Sequence, residues 1–276
     1  FKQKTAYEIS TRDWSSDVCS SDLSWSSWIA AVGAITAIYG SLNAIAQLDM
    51  RRLVAYSSLA NMGILLLALA SATTMSLQGA MALLLAHGLI IALLFACVGM
   101  VERRTGTNSI ADLSGLMNPL RGLPFTMGLM LLALMAAAGI PGLAAFPAEL
   151  LVFEGSWTTF PLPTLLCLVS SGLTAVYSIR LFNRVGFGRL DNAKADWQST
   201  SWPERIPAVF LGLLVITLGI WPTGLVGWSG GSTSALALRS LAFTSEVAVA
   251  GPIQLAQATP ANAPEALALQ ASPALG

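Results

Sequence analysis

Charged residues are scarce in this chain, which has 14 Lys plus Arg and 14 Asp plus Glu among 276 residues. Soluble domains carry about 25% charged residues. Here the fraction is 10%, and the mean hydropathy is +0.69. The formal net charge is zero, and the sequence has no basic stripe and no acidic run, which argues against a nucleic-acid partner. The composition excludes an ordinary soluble domain and indicates a protein that lies in a lipid bilayer.

Histidine and cysteine are also rare, with one and three copies. Cys97 and Cys167 lie in separate apolar runs, and His87 has neither a second histidine nor a cysteine close by in the sequence. Zinc and iron–sulfur sites need several such ligands together, and no glycine-rich phosphate loop follows a strand pattern. We therefore expect this chain to bind no metal and no redox cofactor.

Residues 1–23 differ abruptly from the rest of the chain, because they are polar, show no periodicity and lack the apolar core of a signal peptide. The blocks Lys2–Glu8 and Asp13–Leu23 resemble translated short-read sequencing adapter, with Ile9–Arg12 at the position of an index. We therefore predict that 1–23 is adapter-derived. The protein's own sequence would then continue upstream of Ser24, and its N-terminal part would be missing here.

Six apolar segments come after residue 23 that are long enough to cross a bilayer, for which roughly 20 residues suffice. We predict an all-α, polytopic transmembrane bundle over residues 24–228. For residues 229–276, rich in Gly and Ser and then in Ala, Pro and Gln, we predict a mobile tail, with a short helix near 240–250. The expected crossings are Trp28–Gln47, Leu53–Ala70, Leu77–Val101, Gly122–Gly155, Pro163–Val185 and Ile206–Val226.

The fourth crossing is too long for one straight helix, since its 34 residues would extend about 51 Å against a hydrocarbon core of about 30 Å. The sequence Gly139-Ile140-Pro141-Gly142 should break it, because Pro141 lacks the backbone donor and clashes with the preceding turn. Two geometries fit this segment: two separate elements, one of them re-entrant, or a single crossing made of two half-helices.

The basic residues favour the second geometry. With the broken segment counted once, Arg180 can extend toward the side that holds most of the positive charge, and Arg239 alone lies opposite. Such asymmetry is typical of loops that face the cytoplasm, and counting the segment twice would destroy it. The basic side holds Arg51, Arg52, Arg103, Arg104, Arg121, Arg184, Arg189, Lys194 and Arg205.

Ionisable residues inside membrane segments are costly and therefore suggest function. Glu149 follows the predicted break, where freed backbone groups can hold water, so it is a proton-relay candidate or, alternatively, a satisfied structural acceptor. His87 is a shuttle candidate because the unperturbed pKa of a histidine side chain, about 6.5, suits that role, although a packed helix histidine is the alternative. Glu154 is a possible exit group or an interfacial residue.

Polar residues also line the start of the second crossing. Tyr56, Ser57, Ser58 and Asn61 lie within two turns of each other. Such groups either hold neighbouring helices together or carry water, and helix–helix hydrogen bonding is the simpler interpretation.

Three motifs resemble one known family. Ala46–Ser58 resembles the pattern AQxDxKRLxAYSS, Ala86–Phe95 resembles AHGxxxAxLF, and Gly139–Glu149 resembles GxPGxxxFxxE. These patterns are similar to those of the antiporter-like subunits of respiratory complex I and of multi-subunit cation/proton antiporters. The resemblance covers Trp28 to about Trp228, and it implies a proton-translocating subunit, of M or chain-4 type, in an NAD(P)H–quinone oxidoreductase.

A narrower resemblance is to the cyanobacterial chain-4 paralogues tied to CO2 uptake, carried by Glu149–Ser156, Thr164–Leu168, Gly172–Tyr177 and Asn183–Asn192. It implies a thylakoid location, with a bacterial inner membrane as the alternative. It also implies other membrane-arm subunits and a carbonic-anhydrase-like CO2-hydration subunit as partners. NAD(P)H or ferredoxin, iron–sulfur clusters and quinone would be used by other subunits of the complex.

The resemblance assigns Glu149 and His87 to the proton path, with Tyr56, Ser57 and Glu154 as further candidates. It also shows departures. Asn61 stands where the family motif SHMG has histidine, so this position can hold a water but cannot titrate. Two rival interpretations remain, a sodium/proton antiporter subunit and a structural scaffold with degenerate relay residues.

Overall fold

The computed structural model describes residues 22–119, 122–188, 200–227, 230–231 and 233–235. Residues Ser24–Ala237 form one compact unit. The described helices belong to this unit, except for the first two residues of α1, which precede it. The predicted adapter segment, apart from Asp22 and Leu23, lies outside the described residues, as does the predicted helix near 240–250. The helices are α1 (Asp22–Ala46), α2 (Met50–Ser71), α3 (Thr74–Thr105), α4 (Pro124–Ala137), α5 (Ala145–Trp157), α6 (Pro161–Gly186), α7 (Trp202–Ile220) and α8 (Pro222–Gly227).

Five of these helices are long and apolar enough to cross a membrane, namely α1 from Trp25 onward, α2, α3, α6 and α7. Helix α3 is central, since it packs against α2, α4, α5, α7 and α8. Helices α1 and α2 cross closely, because a Cβ at Gly63 would collide with the backbone of Gly33 and Ala37. Small residues allow such close approach between membrane helices.

The fourth crossing is discontinuous, as predicted. Helix α4 ends at Ala137 and α5 begins at Ala145, and the link contains two glycines with positive φ, Gly139 at 69° and Gly142 at 92°. Only glycine adopts this conformation routinely. The prediction of a break at Gly139–Gly142 is therefore confirmed.

The two half-helices form one crossing rather than a re-entrant loop. At the start of α4, the Arg205 guanidinium carbon lies over the Phe125 ring, 4.9 Å from the ring centroid. At the end of α5, the Gly155 carbonyl accepts a hydrogen bond from Thr73 Oγ1 at 3.1 Å. Thr73 precedes α3 and Arg205 lies in the first turn of α7, so α4 and α5 together connect opposite ends of the bundle.

The described basic residues gather at one end, as the charge pattern predicts. Arg51 at the start of α2 pairs with Glu102 near the end of α3. Arg103 and Arg104 pair with Glu204 at the start of α7, at 3.2 and 2.6 Å. We call this the charged end of the bundle. Arg121, Arg189 and Lys194 lie outside the described residues.

Two helices extend past the apolar segments predicted as crossings, and one ends before its predicted segment does. Helix α1 begins at Asp22, before the crossing predicted at about Trp28. Helix α3 continues past Val101 to Thr105, and this extension consists of Glu102, Arg103, Arg104 and Thr105. The last crossing ends at Ile220 instead of Val226. Pro222 explains this end, since the residue before a proline is disfavoured in helical conformation, and Pro222 itself begins α8.

Candidate functional site

Glu149 lies on α5, one turn after the break, and its side chain is buried with 6% exposure. Its Oε2 accepts a 2.7 Å hydrogen bond from the Ser171 hydroxyl of α6. A Cβ added to Gly139 would lie 3.1 Å from the same oxygen. The Glu149 carboxylate therefore lies directly beside Gly139 in the break. None of the ion pairs among the described residues involves Glu149.

His87 is buried in the middle of α3 with 7% exposure. Its Nε2 lies 3.1 Å from the Ser58 hydroxyl of α2. A hydroxyl can donate to or accept from this nitrogen, depending on the tautomer. Ser58, expected to join helices, thus contacts the candidate shuttle directly.

Ser57 makes a second contact between α2 and a neighbouring helix. The buried Tyr177 hydroxyl of α6 donates a 2.6 Å hydrogen bond to Ser57 Oγ. Asn61 is buried one turn further along α2, and its amide donates to the Ser57 carbonyl at 3.3 Å. Ser57, Ser58 and Asn61 therefore form one polar patch between α3 and α6.

Two candidates lie apart from these contacts. Tyr56 is half-buried and faces a surface groove that it lines with Gln47, Arg52, Ala55 and Leu59. Glu154 is exposed on α5, which fits the interfacial interpretation better than a buried relay position. The role of each residue stays a prediction.

The sequence patterns did not predict that Ser171, Thr174 and Tyr177 belong to the site. The Ser171 hydroxyl is the partner of Glu149, and the Tyr177 hydroxyl is the partner of Ser57. Thr174 Oγ1 donates to the Ser170 carbonyl at 3.2 Å. The sequence does contain a pattern that could have identified them. Polar residues at 170, 171, 174, 177 and 178 recur with roughly the period of a helix inside an apolar segment. Such a stripe predicts a polar face turned toward other helices.

Within the described ranges, no three His, Cys, Asp or Glu side chains come close enough together to hold an ion. Cys97 on α3 and Cys167 on α6 are each buried and free. The chemistry the site can support is proton transfer, because a carboxyl, an imidazole and several hydroxyls can each gain and lose protons or relay them.

These features define a polytopic helical membrane protein that contains a discontinuous helix with a buried carboxyl beside its break. The chain belongs to the family described as NADH:quinone oxidoreductase/Mrp antiporter, TM, whose pattern matches residues 11–174. The predicted resemblance to this family is thereby confirmed. The match begins inside residues 1–23, whose assignment as adapter stays a prediction.

Curated relatives share about a third of the aligned residues. The chain is 32% identical over 195 residues to F(420)H(2) dehydrogenase subunit M from Methanosarcina mazei, covering 71% of this chain and 39% of that protein. It is 34% identical over 198 residues to NAD(P)H-quinone oxidoreductase chain 4 1 from Synechococcus elongatus, covering 70% and 36%. The chain thus spans less than two fifths of the length of these relatives.

A solved structure shares the fold. A chain of respiratory complex I from Thermus thermophilus with bound NADH superposes with a TM-score of 0.71 and 27% identity, covering 77% of this chain and 44% of that one. The described helices therefore share the arrangement of the matched part of that chain.

Proposed function

We propose that the chain is part of a proton-translocating membrane-arm subunit of an NAD(P)H– or ferredoxin–quinone oxidoreductase. Its partners would be other membrane-arm subunits and the lipid bilayer. The redox groups, including iron–sulfur clusters and quinone, would lie in other subunits, so the chain would be a non-redox part of the enzyme. The observation that carries the proposal is the buried Glu149 carboxyl, held by Ser171 beside the break.

Charge on this carboxyl is costly because the group lies inside the membrane. An ionised carboxylate far from water is expensive unless it is paired or hydrogen-bonded. Glu149 accepts one hydroxyl bond and belongs to no ion pair among the described residues. A small change in the hydration or electric field around the break would therefore change its protonation, which is the property a coupled relay needs.

A matched pair of variants tests the proposal. The full-length subunit is introduced into the assembled complex as Glu149→Gln or as Glu154→Gln, and proton translocation per electron is measured in inside-out vesicles. Glutamine keeps the size and one acceptor oxygen but cannot titrate. We expect Glu149→Gln to abolish coupled translocation while the complex still assembles, and the exposed Glu154 to tolerate the change.

Unaltered translocation in the Glu149→Gln complex would overturn the proposal. Loss in both variants would support a relay that extends outward along α5, with Glu154 as its exit group. Loss in the Glu154 variant alone would move the relay away from the break and would also contradict the proposal.

A finer proposal concerns the biological form of the complex. The segments similar to chain-4 paralogues tied to CO2 uptake support a thylakoid complex beside a carbonic-anhydrase-like CO2-hydration subunit. A deletion strain complemented with the full-length gene tests this form by growth at low CO2. Equal growth at low CO2 with and without the gene would exclude the CO2-uptake form. It would not contradict the general proton-translocating function.

The alternative is a subunit of a multi-subunit sodium/proton antiporter. It is favoured by the matched family, whose description includes Mrp antiporters. Sodium-dependent proton flux without quinone reduction would support this alternative. A structural scaffold is the third candidate, supported by Asn61 at the position of a family histidine, and full function in a Glu149→Ala, His87→Ala double variant would favour it.

A further inference from the structure

Ser41 on α1 and Ser170 on α6 form a buried polar contact between these two helices. Both side chains are fully buried, and their hydroxyl oxygens lie 2.6 Å apart. Ser170 Oγ also donates to the Ala37 carbonyl of α1 at 2.9 Å. With Ser170 donating to that carbonyl, Ser41 donates to Ser170, so both hydroxyl protons are used between the two helices.

Helix α1 is itself held close to α2 at the same level. A Cβ added to Gly40, the residue before Ser41, would lie only 2.6 Å from the backbone nitrogen of Ala60. Small residues permit such close packing between membrane helices. Helix α1 therefore gives α6 a fixed surface, to which Ser170 is bonded.

Apolar contacts fix the rotation of α6 about its own axis only weakly. Leu168 and Val169 are about half exposed, at 49% and 50%, and lipid tails are as apolar as these side chains. The rotation of α6 therefore depends on its polar contacts. Tyr177 supplies another such contact, through its 2.6 Å bond to Ser57, but it lies about 9 Å along the helix from Ser171.

Ser171 follows Ser170 directly and projects about 100° further around the helix. Its hydroxyl donates the 2.7 Å bond to Glu149 Oε2. A rotation of α6 by about 15° would move a hydroxyl oxygen that is roughly 4 Å from the helix axis by about 1 Å. Such a shift is enough to break an O–H···O hydrogen bond. The contact of Ser170 with α1 therefore determines whether Ser171 reaches the carboxyl.

We propose that Ser41 and Ser170 are positioning residues for Glu149, because their contact sets the rotation of α6 that keeps Ser171 bonded to the carboxyl. This inference rests on the proposed function, since it concerns the orientation of the same carboxyl. Within the described ranges, neither serine is hydrogen-bonded to Glu149 itself. They act on it through Ser171.

The test uses the assembled complex with the full-length subunit. Ser170→Ala removes a hydroxyl from the contact, and Ser178→Ala is its matched control. Ser178 is buried on the same helix, and its hydroxyl has no hydrogen-bond partner in the described part of the chain. Three quantities are measured: proton translocation per electron, the amount of assembled complex and the infrared C=O band of the protonated Glu149 carboxyl. Ser170→Ala is also combined with Ser171→Ala in a double-mutant cycle.

We expect Ser170→Ala to lower translocation roughly two- to tenfold, as the loss of one hydrogen bond implies, and Ser178→Ala to retain it. Ser170→Ala should shift the Glu149 C=O band in the same direction as Ser171→Ala, because both variants remove the bond to the carboxyl. In a Ser171→Ala background, Ser170→Ala should have no further effect. A packing defect would instead leave the band in place and multiply the two losses.

If Ser170→Ala prevents assembly, Ser41→Ala provides the second variant. It removes the hydroxyl on α1 but keeps the bond from Ser170 to the Ala37 carbonyl. We expect a smaller shift of the Glu149 band in the same direction. An unshifted band in Ser41→Ala would then overturn the inference.

The outcomes separate this inference from the proposed function. Normal translocation and an unshifted band in Ser170→Ala, with loss in Glu149→Gln, overturn the positioning role and leave the proposed function intact. Normal translocation in both variants overturns the proposed function itself. Equal losses in Ser170→Ala and Ser178→Ala, or multiplicative losses in the double-mutant cycle, assign the effect to packing and also overturn the positioning role.

Discussion

The Ser171 hydroxyl donates a 2.7 Å hydrogen bond to Oε2 of Glu149 and so joins α6 to the second half of the broken crossing. Glu149 follows the break on its own helix, whereas Ser171 lies 22 residues away in the sequence. The bond fixes the orientation of the carboxyl against Gly139.

Ser171→Ala should therefore weaken the relay without removing its titrating group. A hydrogen bond to a charged acceptor is worth about 1.5–3 kcal/mol, so the loss corresponds to roughly tenfold or more in rate. We expect proton translocation between that of the native complex and that of Glu149→Gln, measured in vesicles. A rate equal to that of the native complex would show that the Ser171 bond does not contribute.

Gly139→Ala should damage the break itself. The positive φ of 69° costs a side-chain-bearing residue about 1–2 kcal/mol, and the new Cβ would lie 3.1 Å from Glu149 Oε2. We expect less assembled complex and lower translocation. Gly128→Ala is the control, because Gly128 lies within α4 with open space around it, and alanine there favours the helix. Equal behaviour of both variants would contradict this role of Gly139.

His87 and Ser58 should act as one unit. Their side chains lie 3.1 Å apart, and residues in direct contact give non-additive effects. We expect His87→Ala and Ser58→Ala each to slow translocation, and the double variant to be no slower than His87→Ala alone. Independent, multiplicative losses in this double-mutant cycle would show that the contact does not serve the relay.

The broken crossing was predictable because its causes are local. Pro141 and the glycines around it interrupt a helix wherever they occur, and the one-sided charge pattern favours a single crossing. The family could be identified for a similar reason, since its three motifs are continuous in sequence. Pro222 carried an equally local signal for the end of α7, which the apolar pattern obscured.

The polar contacts were less predictable because they join distant parts of the chain. Tyr177 and Ser57 are 120 residues apart, and their pairing depends on how α2 and α6 pack. The period of polar residues on α6 predicts a face but not its partner. The sequence groups Tyr56 with its neighbour Ser57 as a site candidate, but adjacent helical residues point in different directions. The structure places Tyr56 at a surface groove instead.

The central claim is that the Glu149 carboxyl exchanges a proton when the complex turns over. Redox-induced infrared difference spectra of the assembled complex, compared between the native subunit and Glu149→Gln, test it directly. We predict a carboxyl C=O band that changes on reduction, shifts in D2O and is absent from the Glu149→Gln spectrum. Identical spectra from the two complexes, both pumping normally, would contradict it.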